Sequence, residues 1–116
     1  MEKQQFEVRH EPERSRFTLI DHGAASPGRV IGEEQYLDLD TANESVRIMH
    51  HTTVSDEYQG QGLASVLVTA AVESTISAGL SIVPVCPYVA AWLKKHSEFE
   101  PYSTAVRPEH LEAVRA

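Results

Sequence analysis

The sequence lacks the features that mark secreted, membrane-spanning and nucleic-acid-binding proteins. It has one cysteine, which cannot form an internal disulfide and suits a reducing cytosol. Its apolar runs are too short for a transmembrane helix, and residues 1–5 lack the apolar segment of a signal peptide. Basic residues are few, since 10 Lys and Arg stand against 17 Asp and Glu and give a net charge of −7. That charge argues against nonspecific binding to nucleic acids or anionic membranes, and we expect a cytoplasmic protein.

Metal-binding patterns are missing as well. The six histidines are scattered along the chain, and no His-Glu-x-x-His pair occurs among them. His50 and His51 are adjacent on a predicted strand, so their side chains should point to opposite faces of the sheet. They cannot jointly bind one ion, and we expect no metal site.

The sequence does have a composition suited to one folded unit. Hydrophobic residues make up 41% of the 116 residues, which is enough for a modest core without disulfides or metals. No repeat, low-complexity segment or linker divides the chain. We therefore expect a single domain over residues 1–116.

Turn signals divide the first half of the chain into short strands. Polar or glycine-containing turns at residues 11–14, 22–28 and 38–44 separate segments rich in apolar and β-branched residues. Sequential strands with short turns between them predict an antiparallel meander. The predicted strands cover residues 6–8, 16–21, 29–37 and 45–54.

The second half of the chain predicts a crossover. A helix over residues 62–78 is followed by Gly79 and a short apolar strand at 81–83, and Pro87 suits the first turn of a second helix. A strand, a helix and a strand in this order place the last strand parallel to the first. The predicted fold is α+β: a mixed sheet, an antiparallel meander plus one parallel crossover pair, with two main helices. Residues 99–102 are predicted as an edge strand, and 107–112 as a short terminal helix or a frayed tail.

A glycine-containing loop lies where the strands give way to the first long helix. Residues 59–64 read Gln-Gly-Gln-Gly-Leu-Ala, and apolar residues then recur at helical spacing. Glycine allows a sharp turn and a close approach of the backbone to a ligand, and free N–H groups at a helix start bind anions. The loop lacks the lysine of a Walker A motif, and position 65 is Ser where a dinucleotide fingerprint needs a third glycine. A different phosphate or pyrophosphate ligand is therefore predicted.

The loop and its flanks resemble the GNAT superfamily of N-acetyltransferases. Residues 59–64 match its acyl-CoA pyrophosphate loop, Gln/Arg-x-x-Gly-x-Gly/Ala, while His-Thr-Thr-Val precedes it at 51–54 and Cys-Pro-Tyr follows the helix at 86–88. The order is similar to that of very small GNAT-like proteins, in which two parallel strands splay apart to admit the pantetheine arm of acetyl-CoA. The resemblance implies that acetyl-CoA is the cosubstrate. It implies contacts to acetyl-CoA from Thr53, Val54, Gln59, Gly60, Gln61, Gly62, Leu63, Ala64 and Ser65.

Two departures from larger relatives affect what the resemblance implies. Residues 11–14 leave no room for the two helices that help those relatives bind the acceptor, so the acceptor site should be open or completed by another molecule. The tyrosine that reprotonates the CoA thiolate in many GNAT enzymes would fall near Trp92, where no tyrosine stands. The usual general acid is therefore missing.

Three residues could carry the chemistry, namely Cys86, His51 and Tyr88. Pro87 at a first helical position makes Cys86 the predicted N-cap, where the helix dipole favours a thiolate. Cys86 or Tyr88 could replace the missing acid. His51 matches the family's histidine and, facing the cleft, would take a proton from the acceptor amine. The plain alternatives are that Cys86 is a small core residue and His51 a histidine packed on the sheet.

Two neighbouring acidic residues also fall near the predicted cleft. Glu33 and Glu34 are adjacent on one strand, so one of them should face the working side of the sheet. That carboxylate could pair with an acceptor ammonium, although a solvated charge is the more ordinary role. Trp92 is expected in the core from its helical spacing.

The resemblance implies an N-acetyltransferase that moves an acetyl group from acetyl-CoA to an unidentified amine, either a small molecule or a protein. Direct attack within a ternary complex and transfer through Cys86 are both possible routes. An acetyl-CoA-binding or interaction module with little turnover is a second interpretation, favoured by the missing helices and the missing tyrosine. A Cys-His hydrolase is disfavoured because no third, orienting group is evident.

Overall fold

The structure, a computed structural model, describes residues 5–23 and 27–116. Residues 24–26, in the middle of the predicted turn at 22–28, lie outside the described residues. The described residues form five strands, three α-helices and short 3-10 helices at Pro12–Arg14, Asp56–Tyr58 and Ser97–Tyr102. The main elements are β1 (Phe6–Glu11), β2 (Arg16–Asp21), β3 (Arg29–Asp40), β4 (Ser45–Val54), α1 (Leu63–Ser77), β5 (Ser81–Pro84), α2 (Pro87–Lys95) and α3 (Pro108–Arg115).

The strands form one sheet in the order β1-β2-β3-β4-β5. The first four pair antiparallel, and β5 joins β4 in parallel after the α1 crossover. This confirms the predicted α+β fold with its mixed sheet. Strand β3 runs beyond residue 37 to Asp40, because its end pairs with Ser45 at the start of β4. The turn between them is correspondingly shorter than predicted, and Thr41 closes it by donating its hydroxyl to Glu44 O (2.8 Å).

Helices cover the sheet unequally on its two faces. Helices α1 and α2 pack on one face, which we call the cleft face, over the larger core. Strand residues of this core include Phe17, Tyr36 and Met49. Helix α3 packs on the other face over a smaller cluster built around Val46, Ile48 and Val83. Neighbouring strand residues such as Ile48 and Met49 therefore enter different cores, as the alternation of side chains along a strand requires.

An extra residue interrupts this alternation in β4. Tyr36 of β3 pairs with Met49, but the preceding Gln35 pairs with His51, so His50 has no counterpart. A bulge of this kind leaves one residue over and shifts the side chains beyond it to the other face. As a result Thr52 and Val54 share the cleft face with Met49. Simple alternation from Met49 would have placed His51 there instead.

Strands β4 and β5 separate immediately before this bulge in β4. Their pairing ends at Met49 and Pro84, and Cys86 N–H donates to Met49 O (2.9 Å) beyond it. From His50 to Val54, no described strand lies against this edge of β4. The structure thus contains the open gap between two parallel strands that the family resemblance implied.

The C-terminal segment corrects one prediction and confirms another. The predicted edge strand at 99–102 is wrong, because Ser97–Tyr102 forms a 3-10 helix. The pairing to the sheet comes one residue later, where Ser103 bridges to Ile82 and Thr104 N–H donates to Ile82 O (2.9 Å). The predicted terminal helix forms as α3 and buries His110. Between β1 and β2 only the short turn Pro12–Arg14 occurs, as expected from the sequence.

Candidate functional site

Helix α1 begins at a pair of glycines with left-handed backbone. Gly60 and Gly62 have φ values of +84° and +73°, and Gly62 is the N-cap. Other residues adopt such angles only with strain. A Cβ at either glycine would meet no atom within 4 Å, so backbone conformation and not crowding requires glycine here.

The first turn of α1 supplies unpaired backbone donors. The first helical hydrogen bond runs from Val66 N–H to Gly62 O (3.3 Å), so the N–H groups of Leu63, Ala64 and Ser65 have no partner within the helix. No side chain caps this end of the helix. Three amide donors at the positive end of the helix dipole make a site suited to phosphate.

A tyrosine before the loop ties it to the sheet. Tyr58 donates its hydroxyl to the Asp21 carboxylate at the end of β2, which also accepts from Gln5 Nε2 (3.0 Å) and Gly23 N–H (2.7 Å). These hydrogen bonds, that of Tyr58 first, lower the pKa of Asp21, and the same bond raises the pKa of Tyr58. No local pattern in the sequence indicates this pair, because the partners are 37 residues apart.

A cavity of about 250 Å³ joins this helix start to strand β4. Its walls come from the loop, from the cleft face of β4 and from the start of α2. The lining residues are Thr52, Val54, Tyr58, Gln59, Gly60, Gly62, Leu63, Ala64 and Tyr88. A ligand here would contact the helix start and the open edge of β4 together.

The open edge of β4 adds backbone donors to the cavity. Ser55 N–H donates to Ile31 O (2.7 Å), and Thr53 O lies against Gly32, so these groups point toward β3. Successive peptide groups of an extended strand point to opposite edges. The N–H groups of Thr52 and Val54 therefore point into the gap, where an extended amide-containing arm or a thioester carbonyl could accept from them.

Cys86 lies at the base of the gap. It is the N-cap residue of α2 with Pro87 at the first helical position, as predicted, and 6% of its surface is exposed. Its side chain makes no capping hydrogen bond. Cys86 Sγ is instead 3.3 Å from Thr52 Oγ1, and Thr52 lines the cavity. The thiol is thus one side chain removed from the cavity wall.

Glu34 is the inward member of the Glu33–Glu34 pair and is fully buried. Thr52 donates its hydroxyl to Glu34 Oε1, while Oε2 has no partner in the described part of the chain. Burial raises the pKa of Glu34 to about 8, against smaller lowering effects of the Thr52 hydroxyl and the His51 amide. Glu33 projects to the other face and accepts from Arg16 (2.9 Å) and Gln35 (2.8 Å). Glu33 is thus the partly exposed member of the pair and is ion-paired with Arg16, whereas Glu34 is the buried member.

The two adjacent histidines do not face this cavity. His51 is exposed, pairs with Gln35 and lies on the face opposite Thr52, contrary to the expectation that it points into the cleft. His50, the bulge residue, borders a separate polar depression together with Arg14 and Glu33. Burial, and then the charge of His51, lower the pKa of His50. The structure does not bring either ring together with Cys86.

Tyr88 and Trp92 occupy different positions on α2. Tyr88 lines the cavity, 40% exposed, and partial burial raises the pKa of its phenol. Trp92 is buried, as expected, and donates Nε1–H to Ser65 Oγ (2.9 Å), which ties α2 to the first turn of α1. The Ser65 hydroxyl is therefore engaged with the protein, and its backbone N–H is the group left for a ligand.

The structure gathers most, but not all, of the residues predicted to contact acetyl-CoA. Thr53 points to the opposite face, and Gln61 is exposed at the tip of the loop outside the cavity lining. The predicted residues that line the cavity are Val54, Gln59, Gly60, Gly62, Leu63, Ala64 and Tyr88.

Two other features are absent from the described residues. Among residues 5–23 and 27–116, no three His, Cys, Asp or Glu side chains are placed to hold a metal ion. Within the same ranges, no helix is long and apolar enough to cross a membrane.

Comparisons with known proteins agree with this geometry. A family model described as GCN5-related N-acetyl-transferase matches residues 19–102, and no curated protein matches the chain. The solution structure of a GCN5-like protein from Staphylococcus aureus is 24% identical with a TM-score of 0.62, over 93% of this chain and 97% of that one. The aminoglycoside acetyltransferase meta-AAC0020 from an uncultured soil metagenomic sample, in complex with sisomicin, is 14% identical with a TM-score of 0.54, over 79% and 60%. The NatC complex bound to Gag peptide and CoA is 20% identical with a TM-score of 0.53, over 58% and 43%.

The family model covers most of the chain, and the protein belongs to the GCN5-related N-acetyltransferase family, which uses acetyl-CoA as cosubstrate. The solved structures, all below 25% identity, support the fold. The chain spans less than two thirds of the length of the aminoglycoside acetyltransferase and of the NatC chain. What those proteins bind is therefore a guide for proposals and not a property of this chain.

Proposed function

We propose that the protein binds acetyl-CoA across the cavity and transfers its acetyl group to an amine. The pyrophosphate would accept hydrogen bonds from the first turn of α1, and the pantetheine arm would lie along the open edge of β4. The observation that carries this proposal is that one cavity is lined by Gly62, Leu63 and Ala64 at the helix start and by Thr52 and Val54 on the strand. The free helix N–H groups suit phosphate, and the strand N–H groups suit the amides of an extended arm.

Direct transfer would use these groups as follows. The amine nitrogen attacks the thioester carbonyl carbon, whose oxygen accepts from the open edge of β4, and the C–S bond then breaks. A base takes the proton that nitrogen loses, and the CoA thiolate gains a proton as it leaves. Tyr88 is the candidate acid on the cavity wall, because the other tyrosine that lines the cavity, Tyr58, already donates its hydroxyl to Asp21.

Transfer through Cys86 is a variant of the same function. The Cys86 thiolate would attack the thioester, CoA would leave with a proton, and the amine would then take the acetyl group from sulfur. Cys86 Sγ lies behind Thr52 Oγ1 at 3.3 Å, so this route needs Thr52 to turn aside. The covalent route predicts acetylated protein in the absence of an acceptor, whereas direct transfer does not.

We infer that the amine approaches the thioester from the side of the sheet that carries His51. The pairing of β4 with β5 ends at Met49, and His51 is exposed on the face away from the cavity. His51 would then act as base for an amine that approaches from this side.

An acetyl-CoA-binding module with little turnover is the second candidate. The observation that favours it is the short segment between β1 and β2, where a three-residue 3-10 turn, Pro12–Arg14, stands and no α-helix forms an acceptor pocket. Release of free CoA separates the two functions: an enzyme releases it steadily with an amine, and a module does not. Polyamines, lysine peptides and aminoglycosides form a suitable first panel of acceptors.

Substitution of Gly62 tests the binding site itself. Acetyl-CoA should raise the melting temperature of the wild type by mass action, and Gly62→Ala should reduce this shift, because an alanine at φ +73° distorts the N-cap. Gly79→Ala is the matched control, since Gly79 has φ +76° and free space at the opposite end of α1. Both variants should lose similar stability without ligand, of roughly 1 kcal/mol. Equal acetyl-CoA shifts in the two variants would contradict the proposed site.

A further inference from the structure

Three polar side chains form a chain of contacts beneath the cavity, which we call the Glu34–Thr52–Cys86 chain. Thr52 Oγ1 donates to Glu34 Oε1 and lies 3.3 Å from Cys86 Sγ, where either atom can be the donor. Glu34 comes from β3, Thr52 from β4 and Cys86 from the N-cap position of α2, just after β5. The chain therefore crosses the sheet from its interior to the point where β4 and β5 part.

Glu34 is an expensive residue for this position if it serves packing alone. It is fully buried beside Phe17, its partner on β2, and no ion pair in the described part of the chain includes it. One of its oxygens has no hydrogen-bond partner there. A buried carboxyl group without a cation is costly when ionised, and an apolar side chain would fill the same space more favourably. Its one side-chain hydrogen bond in the described part of the chain comes from Thr52, which in turn contacts Cys86.

We propose that Glu34 exchanges a proton with the Cys86 thiol through the Thr52 hydroxyl. Glu34 is then a positioning residue that controls the protonation of Cys86. The proton exchange is argued from the contacts above, and only its role in acetyl transfer rests on the proposed function. Glu34 itself touches neither cosubstrate nor acceptor.

The exchange conserves every proton. In molecules whose Glu34 is ionised, the Cys86 Sγ–H bond breaks as that proton joins Thr52 Oγ1, and the proton that Thr52 held moves to Glu34 Oε1. When Glu34 already carries a proton, only the reverse movement, from Glu34 through Thr52 to a Cys86 thiolate, takes place. The result is a thiolate beside a neutral threonine and a protonated glutamic acid, with the net charge unchanged. The reverse movement restores the thiol when sulfur leaves an acetyl group or supplies a proton to the departing CoA thiolate.

The surroundings suit such an exchange. The raised pKa of Glu34 places its proton affinity near that of a free thiol, which titrates at about 8.5. Tyr88 and Cys86 are the titratable residues on the cleft face at the end of β4, and Tyr58 on the cavity wall bonds to Asp21. Further along β3, His10 bonds to Tyr36 (2.7 Å), and Arg47 stacks over Tyr36 and pairs with Asp38 (2.7 Å). Glu33 and His51 project to the opposite face. The remaining titratable residues of α1 and α2 stand away from the sheet: Glu73, Lys94 and Lys95 are exposed, and His96 bonds to Trp92 O.

The test is the pH dependence of Cys86 alkylation by iodoacetamide, followed by mass spectrometry without acetyl-CoA. Two coupled groups titrate in two steps that belong to the pair, so the wild-type alkylation rate should rise with pH in two steps. Glu34→Gln should give one step. Glu33→Gln, the neighbouring carboxylate on the other face, should keep two. Superimposable profiles for wild type and Glu34→Gln would overturn the proposal.

Threonine variants test the middle of the chain and do not require Glu34→Gln to fold. Thr52→Ser keeps the hydroxyl and should keep two steps, whereas Thr52→Val removes it and should leave one. Two steps in Thr52→Val would overturn the exchange through Thr52. The acetyl-CoA melting shift, measured on Glu34→Gln and Glu33→Gln, should stay within twofold of wild type, because neither residue lines the cavity. If acetyl-CoA does not raise the melting temperature of wild type, the proposed function is refuted. The alkylation profiles would still decide whether Glu34 and Cys86 exchange a proton.

Discussion

At the scale of single residues, the buried carboxyl of Glu34 makes stability depend on pH. Its pKa is about 8 in the folded protein and near 4.5 in the unfolded chain, so the folded state holds a proton that the unfolded state releases between these values. Stability conferred by the protonated carboxyl is complete below about pH 4.5 and is lost as pH rises through 8. Urea unfolding at pH 5 and pH 8 should show wild type losing roughly 2–4 kcal/mol more than Glu34→Gln over this interval.

Glu33→Gln is the control for this measurement and should follow wild type between pH 5 and pH 8. Burial raises the pKa of Glu33, but the hydrogen bonds of Gln35 and Arg16 outweigh it and lower that pKa below its usual 4.5, so the contribution of Glu33 to stability changes only at more acidic pH. A pH 5 to pH 8 difference in Glu34→Gln as large as in wild type would show that Glu34 is ionised when folded.

The effect of bound CoA on alkylation of Cys86 should show whether this residue takes part in the chemistry or only packs in the core. Bound CoA would cover Thr52, which separates Cys86 from the cavity, and should slow alkylation of Cys86 by iodoacetamide. If Cys86 transfers a proton or the acetyl group, Cys86→Ala should bind acetyl-CoA normally and lose turnover by roughly 10²–10⁴-fold. Alkylation unaffected by CoA, with near-normal turnover in Cys86→Ala, would return Cys86 to a packing role and leave Tyr88 as the acid.

His51 and His50 form a natural pair of variants. If the amine approaches from the face that carries His51, His51→Ala should lower turnover at neutral pH by roughly 10²–10⁴-fold and leave acetyl-CoA binding unchanged. His50→Ala should affect turnover less, because His50 borders a different depression. A larger loss in His50→Ala would place the base at the bulge.

The residues of the glycine loop could be predicted from sequence, but the faces of β4 could not. The loop depends on local backbone chemistry, since Gly60 and Gly62 adopt angles that favour glycine. The position of His51 depends on a bulge set by pairing between β3 and β4, which no local pattern in the sequence reveals. Glu34 was placed on a strand correctly, but its burial depends on the helices packed above it.

At the scale of elements, the turn before α1 is held by one side chain. Tyr58 reaches from the 3-10 helix Asp56–Tyr58 to Asp21 at the end of β2, and it also lines the cavity. Tyr58→Phe should keep the ring packing against Phe6 but release the turn, and acetyl-CoA affinity should fall several-fold. Tyr102→Phe, an exposed tyrosine away from the cavity, is the matched control for calorimetric titration. Equal affinities in the two variants would mean that the helix start is fixed by other contacts.

The elements that follow strong local signals were predicted well. Helix α1 and the parallel strand after it could be placed because a long apolar stripe ends at Gly79, and Pro87 marked the start of α2. Residues 99–102 were predicted as a strand and form a 3-10 helix instead. There Pro101 lies inside the turn, and pairing with β5 begins at Ser103.

At the scale of the whole molecule, the two faces of the sheet carry different tasks. The cleft face is covered by α1 and α2 around the cavity. On the opposite face, α3 packs over Leu37 and Leu39 of β3 and over Val46 and Ile48 of β4, which lie on one side of the bulge. The other half of that face presents Glu33, Gln35 and His51 toward solvent. This is the face from which we propose that the acceptor amine approaches.

The bulge at His50 divides β4 into two segments of opposite phase. Before it, odd-numbered residues such as Arg47 and Met49 face α1 and α2; after it, even-numbered Thr52 and Val54 do. Regular alternation that paired His50 with Gln35 would turn His51 and Thr53 to the cleft face and Thr52 and Val54 away from it, and would break the Glu34–Thr52–Cys86 chain at its centre. Deletion of His50 would leave the pairs Tyr36–Met49 and Gln35–His51 unchanged, so Thr52 and Val54 would keep the cleft face. The parity of the strand, odd before the bulge and even after it, thus depends on the register of β4 against β3 and not on the imidazole of His50.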